Sequence, residues 1–290
     1  MRFLLVIFMF SILAGAQSLG EKIGAIAAGA EGRVAVSCAV PGVRLDCHLQ
    51  AGSRPPMQSV FKFPMAMAAL DRVEKGELGL DQMIRFLPSD RILPKTYSPL
   101  QDKYPEGNVE VPLRELLQAA VMLSDNTASD IVLRVLGGPA RVTEYVQRLG
   151  VRGFHLEDNE AGLHRELAAQ YRNWFEPRAA VQLLRLLRER SPLDAEHTRL
   201  LLGWMRESPT GAKRIKGLLP EGVGVMHKTG TSGTRDGVTQ ATNDIGLVPL
   251  PNGKMLALAV FVTDAKASPA KIESVIAEIA RAIYDEAARR

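Results

Sequence analysis

The alternation of apolar and polar positions divides the chain into three stretches. Near the start, Leu19, Ile23, Ile26 and Ala27 fall at helical spacing, and Gly32 stops the run. Strand-like sequence follows, from Val34 to Ala39 and from Leu45 to Leu49. The middle then reads as helix almost throughout: Ser59 to Gly76, Pro112 to Met122, Thr127 to Leu136, Pro139 to Leu149, Pro177 to Arg190 and Ala195 to Arg206. Proline occupies several first turns, and Gly137 and Gly150 follow two of the ends. Strand character returns in Val225 to Thr231, Ile245 to Leu250 and Met255 to Val262, the last two joined by the turn Pro251-Asn252-Gly253, which is a hairpin signal. Ser268 and Pro269 open a last helix with Ile272, Val275, Ile276, Ile279 and Ile283 on one face.

Strands at both ends around a helical middle predict an α/β fold, with an antiparallel sheet flanked by helices and built from both termini. On this reading residues 17–62 and 213–290 form the α/β lobe, and residues 63–212 form an inserted all-α lobe. A length of 290 residues suits one body of two lobes. The first 16 residues stand apart. Arg2, the apolar run Phe3 to Leu13 and the small residues Ala14, Gly15 and Ala16 read as a secretory signal peptide, which makes the mature protein exported, to the periplasm or beyond. The apolar run is well short of the roughly 18 residues a membrane span needs, so stable membrane association is not expected.

Composition changes this picture little. Hydrophobic residues make up 46% and charged residues 23%, ordinary globular values, and removing Arg2 with the leader lowers the formal net charge from +4 to +3. Basic residues form no stripe and are not interleaved with aromatics, which argues against a nucleic-acid partner. Nothing suggests an obligate partner, and a monomer is expected. Cys38 and Cys47 flank Pro41-Gly42 in the strand-like segment. In an exported protein they read as a disulfide across a hairpin, with two buried thiols as the alternative.

The candidate chemistry lies in three short elements. Ser59 and Lys62 stand as Ser-Val-Phe-Lys at a predicted helix start, so a spacing of three places hydroxyl and ammonium on one face. A serine becomes a nucleophile when a neighbour takes its proton, and a lysine can do so if burial or nearby charge depresses its pKa. Taken alone, the pattern equally describes a cap and a solvated lysine. Ser124-Asp125-Asn126 lies at the break between two helices, and Lys228-Thr229-Gly230-Thr231 lies on a predicted strand. Singly these read as a capping turn and an edge strand. In this order and at these separations, the three resemble the active-site set shared by class A β-lactamases and penicillin-binding proteins. Pro56-Met57-Gln58, Tyr97-Ser98-Pro99 and Asn243-Asp244-Ile245-Gly246 are similar to that family's framework, so the resemblance spans essentially the whole mature chain.

Glu160, in Asp158-Asn159-Glu160-Ala161-Gly162-Leu163-His164, sits where class A enzymes carry the glutamate that deacylates the serine. The bland alternative is a surface carboxylate in an acidic loop. Ala161 replaces the family's usual proline, His164 its asparagine, and Asp158 with Asn173 takes the place of an Arg–Asp pinning pair. Without the proline a cis peptide is not expected, and Asp158 with Asn173 can share a hydrogen bond but no ion pair. These departures, with Gln170-Tyr171-Arg172-Asn173-Trp174, resemble the cephalosporinase and extended-spectrum subgroup and imply a differently folded loop around a roomier site.

The resemblance implies hydrolysis of the β-lactam amide of penicillins and cephalosporins, and hence antibiotic resistance, through an acyl-enzyme on Ser59. In it Lys62 or Glu160 takes the serine proton and Ser124 protonates the leaving nitrogen. Lys228, Thr229 and Thr231 would hold the substrate carboxylate, Tyr97 line the entrance, and Asn126 bond the acyl-amide side chain. Arg214 matches the position of the subgroup's carboxylate-side arginine, with Arg235 as its competitor. No cofactor is implied. His155, Glu160 and His164 are close in sequence but lack metal-ligand spacing; His164 reads as a loop hydrogen-bonding residue and His227 as support for its strand. A D,D-peptidase would share Ser59, Lys62, Ser124 and Lys228 without needing Glu160, and a β-lactam sensor domain, which acylates once and signals, would need a membrane anchor or a fused partner.

Overall fold

The computed structural model describes residues 17–92 and 96–290. The leader reading falls on residues 1–16, outside them. In chain order the structure has α1 (Leu19–Ala28), β1 (Arg33–Ala39), α2 (Lys62–Glu74), β2 (Met83–Phe86), α3 (Pro99–Lys103) and β3 (Val109–Pro112). There follow α4 (Leu113–Gln118), α5 (Asn126–Leu136), α6 (Pro139–Arg148), β4 (Phe154–His155), α7 (Glu160–Leu163), β5 (Trp174–Phe175), α8 (Pro177–Glu189) and α9 (Ala195–Glu207). The chain closes with β6 (Met226–Thr231), β7 (Thr234–Arg235), β8 (Val238–Pro249), β9 (Met255–Ala265) and α10 (Pro269–Ala288).

Strand order in the main sheet is β1-β9-β8-β6, with β7 also paired to β8, and every pairing is antiparallel. Because successive strand residues point to opposite faces, β9 serves two cores. Leu256, Leu258, Val260 and Val262 pack with α1 and α10, while Ala257, Ala259 and Phe261 join the core of the helical part, which α8 brings against the sheet. Ser268 caps α10 by accepting from Lys271 N, and its buried Ile272, Val275, Ile276, Ile279 and Ile283 contribute roughly 1.5–3 kcal/mol each.

Several elements differ from the sequence reading. The first helix ends with its cap at Gly29 rather than at Gly32. Leu45–Leu49 is not a strand; Leu49 alone pairs, with Val36. Cys38 and Cys47 form the disulfide, with Cα atoms 5.9 Å apart. The stretch 63–212 is not all helix, since β2 pairs β3 and β4 pairs β5 within it. These strands of two to four residues are too short to show a period. Finally, β8 begins at Val238, seven residues before Ile245, because Thr239, Gln240, Thr242, Asn243 and Asp244 are buried although polar.

Candidate active site

Ser59 lies in a single 3₁₀ turn, Gln58–Phe61, that leads into α2, and so at a helix start with free backbone N–H groups. The preceding Gln58 has φ +50°, in the left-handed region, and its buried side chain donates to Gln170 Oε1 at 2.9 Å. The segment before the serine is lashed to the sheet: Asn243 Nδ2 donates to the carbonyls of Pro56 (2.9 Å) and Met57 (3.2 Å). Strand β6 runs so close alongside that a Cβ at Gly230 would collide with the Met57 carbonyl oxygen.

Lys62 is fully buried one turn on from Ser59. Its Nζ donates to the Ser124 carbonyl (2.8 Å) and to Asn126 Oδ1 (2.5 Å), and it forms an ion pair with Glu160, whose Oε1 is 2.9 Å away. Three oxygens thus surround the ammonium, two of them as hydrogen-bond acceptors. Glu160 Oε1 also accepts from Ser59 Oγ at 3.3 Å. Ser124 ends a π-helical turn with φ +63°. Its position is fixed by Asp125, whose buried carboxylate accepts from Ser98 Oγ (2.8 Å), Leu100 N (2.6 Å) and Ala128 N (2.8 Å). That carboxylate caps α5 and holds the Tyr97 segment beside it. The Tyr97 carbonyl accepts from Asn126 N at 3.2 Å, and its ring is 58% exposed at the rim.

On β6, Lys228 is fully buried and donates to Ser124 Oγ at 2.8 Å and to the Thr229 carbonyl at 3.1 Å. Burial, and then the charge of Lys62, holds its ammonium well below the usual lysine range. Thr229 and Thr231 point to the other face of the strand. There Thr229 Oγ1 meets Thr210 Oγ1 at 2.9 Å, and Thr231 Oγ1 accepts from Arg214 Nη2 at 2.8 Å. Arg214, only 6% exposed, also donates to Glu273 (3.1 Å) and to the Asn243 and Gly230 carbonyls. Arg235, the competing arginine, lies exposed on β7.

The Glu160 loop is built differently. Glu160 is 4% exposed at the first turn of α7, where Asn159 accepts from Gly162 N at 2.9 Å. The backbone N–H groups of Glu160 (2.8 Å) and Ala161 (3.0 Å) donate to the two carboxylate oxygens of Asp130, on α5. Desolvation, reinforced by the neighbouring Glu160 charge, pushes Asp130 up to about 7. No cis peptide occurs among the described residues. Asn173, fully buried, accepts from Glu157 N and Asp158 N and donates to the Asp158 carbonyl, so it bonds the backbone of Asp158 rather than its carboxylate. That carboxylate does form an ion pair, which the sequence reading did not expect, with the adjacent Arg172 (2.7 Å). His164 Nε2 meets Thr96 Oγ1 at 2.7 Å, and Thr96 accepts from Asn126 Nδ2, which links the loop to the Ser-Asp-Asn turn.

Ser59, Lys62, Ser124, Asn126, Glu160 and Lys228 are thus joined by one set of contacts, and Thr229, Thr231 and Arg214 lie next to it on the far face of β6. His155 goes elsewhere, stacking on Trp174 at 5.8 Å. Sequence reasoning missed Asp130 and Thr210. A signal for Asp130 existed: a carboxylate between Ala128 and the Ile131-Val132-Leu133 run interrupts a buried helical face, which is costly unless it accepts hydrogen bonds.

Comparison with known proteins accords with this arrangement. A model of the β-lactamase enzyme family matches residues 18–287. The extended-spectrum β-lactamase PER-1 of Pseudomonas aeruginosa is 38% identical over 283 residues, covering 97% of this chain and 92% of its own. The β-lactamase VEB-1, also of Pseudomonas aeruginosa, is 37% identical over 79% of this chain and 77% of its own. Among solved structures, a β-lactamase from Chitinophaga pinensis superposes with a TM-score of 0.89 at 43% identity, covering 93% of this chain and 99% of its own. The TLA-1 extended-spectrum β-lactamase gives a TM-score of 0.89 at 39% identity over 93% and 98%. In sequence, in fold and in the set of side chains gathered around Ser59, the chain belongs to the class A serine β-lactamases, enzymes that hydrolyse β-lactam antibiotics.

Proposed function

We propose that Ser59 is the nucleophile, Glu160 the group that frees it again, and Lys228 with Ser124 the pair that serves the leaving nitrogen. The observation that carries this reading is the shared Glu160 Oε1, which accepts from Ser59 Oγ and lies 2.9 Å from Lys62 Nζ. As Ser59 attacks the lactam carbonyl its proton passes to the Lys62–Glu160 pair, either member of which can accept it. Backbone N–H groups of Ser59 and Thr231 stabilise the resulting oxyanion, at about 3 kcal/mol per donor. Ser124 Oγ accepts from Lys228, so its own proton is free to pass to the departing nitrogen. Asn126 Oδ1 has a second lone pair for the acyl-amide N–H of the substrate. Once Ser59 is acylated it no longer donates to Glu160. The pair returns the proton through Lys62, which touches both Glu160 and the Ser124 residue, to Ser124 in place of the one given to the nitrogen, and the restored carboxylate faces the ester, placed to activate water. Glu160→Gln is expected to accumulate an acyl-enzyme visible as added mass with a β-lactam, and undiminished steady-state turnover of nitrocefin by that variant would overturn the assignment.

The substrate range is the extended-spectrum one, with reaction at the junction of the sheet and the helical part. Support comes from the trans Glu160–Ala161 loop and from the names of the relatives PER-1 and TLA-1. A bulky oxyimino-cephalosporin and a simple penicillin are expected to show comparable kcat/KM, and no turnover of the cephalosporin would refute this. Residues 1–16 act as an export leader and the mature enzyme is a periplasmic monomer. The disulfide suits an oxidising compartment, and no described helix is long and apolar enough to cross a membrane.

A further inference from the structure

Segment 208–216, between α9 and β6, touches one face of β6 at every second residue. Thr210 Oγ1 lies 2.9 Å from Thr229 Oγ1, and Arg214 Nη2 lies 2.8 Å from Thr231 Oγ1. Gly211, at φ +61°, lets the backbone come close, since a Cβ there would sit 2.5 Å from Thr229 Cγ2. The third residue on this face, His227, is reached indirectly. Its Nδ1 lies 2.9 Å from Asp244 Oδ1, and Asp244 Oδ2 accepts from Ile215 N at 3.1 Å, the amide that follows Arg214. His227 and Asp244 are both wholly buried.

A buried carboxylate is costly to a fold unless its acceptors are used. Asp244 directs its oxygens at the imidazole of the residue before Lys228 and at the peptide that carries Arg214. It does not touch the guanidinium. We infer that Asp244, held by His227, is the positioning residue for Arg214: it fixes the Arg214–Ile215 peptide, and through it the guanidinium on Thr231, so that the pair binds the substrate carboxylate. This rests on the reading of Arg214 and Thr231 as the carboxylate-binding pair, which the test addresses separately.

A role in carboxylate recognition separates substrates that differ only in that group, whereas a purely structural role treats them alike. The probes are a penicillin and its methyl ester, each assayed with the wild type, Arg214→Ala, Asp244→Ala, the double variant and Asp244→Asn, all checked for an intact fold by circular dichroism. Arg214→Ala is expected to raise KM for the acid about tenfold and to leave the ester unaffected; no change with the acid removes the Arg214 reading and the inference with it. Asp244→Ala is expected to raise KM for the acid about five- to tenfold with kcat within about threefold, and the double variant to be no worse than Arg214→Ala alone. Multiplying effects, or equal losses on acid and ester, would overturn positioning while leaving Arg214 in place. Asp244→Asn keeps an oxygen for Ile215 N, the contact that positions Arg214, and is expected to recover most of the acid's KM even though the His227 tautomer it requires leaves Nε2–H buried without an acceptor. If instead it matches alanine, the charge of Asp244 acting on Lys228 is what matters, and the positioning claim fails. Should Asp244→Ala not fold, the asparagine variant and the ester decide alone.

Discussion

Strand β6 and the Glu160 loop bring charged groups to the same serine, and they are held in opposite ways. Lys228 and the two threonines ride on a strand paired along its length with β8, and Gly230 seats that strand against the residues before Ser59. Glu160 sits on a single helical turn whose place depends on side chains accepting from backbone N–H groups: Asp130 for residues 160 and 161, Asn173 for residues 157 and 158. On the strand, the backbone ladder holds the site and the functional side chain is a burden on stability. In the loop, the contacts that hold the backbone are themselves the fold. Losing a functional group should therefore separate activity from stability on β6 and couple them in the loop.

The largest expected effect tests the strand. Lys228→Met removes the donor to Ser124 and is expected to lower kcat/KM on the order of 10²–10³-fold, the scale of losing one preorganised donor. Its melting temperature should hold or rise, because an apolar side chain replaces an ammonium that burial already disfavours. A clear fall in melting temperature would show that the strand needs the amine and would break the contrast.

Next in size is Asp130→Asn. One amide oxygen can accept only in place of one carboxylate oxygen, so a buried N–H of residue 160 or 161 loses its partner at about 1–3 kcal/mol. A drop in kcat of about tenfold, with a matching loss of stability, is expected from steady-state kinetics and denaturant titration. The same variant carries a pH signature. The folded chain binds the Asp130 proton more tightly than the unfolded chain, so this group's contribution is fully present below the ordinary carboxylate range and is lost as pH rises through about 7. The wild type should lose ground to Asp130→Asn between about pH 4 and about pH 8, by at most about 4 kcal/mol. A stability gap that does not change with pH would remove this account of the loop.

The smallest effect is expected at Arg172, itself partly exposed, whose partner Glu166 is open to solvent and whose partner Asp158 already has its backbone held by Asn173. Arg172→Gln should lower the melting temperature by about 2 °C or less and leave kcat within about twofold, since exposed pairs contribute little. A larger loss would mean that the loop is pinned by charge rather than by Asp130 and Asn173.

The sequence was most informative where a function and a local period coincide. Ser59 and Lys62 share a helical turn, Ser124 to Asn126 form a break between helices, and Lys228 to Thr231 alternate along a strand, so each could be placed from its neighbours. Asp130 could not be, because its partners are backbone N–H groups about 30 residues away that any residue but proline supplies. The start of β8 escaped for a related reason: strand patterning looks for apolar residues, and Thr242, Asn243 and Asp244 are buried to bond other segments. The Asp158–Asn173 hydrogen bond could be read from the two residue types, whereas the ion pair of the Asp158 carboxylate with Arg172 could not, in a loop without a period to set register.

The seating of Gly230 against Met57 has a consequence for how this enzyme can change under selection. The segment before Ser59 and strand β6 meet with no clearance, so substitutions at that joint cannot widen the space beside Ser59 gradually; they separate the two parts or are rejected. Variation in antibiotic range is thereby channelled elsewhere, above all to the exposed end of the β7–β8 hairpin at residues 233–237, where exchanges leave Ser59, Lys62 and Glu160 in register.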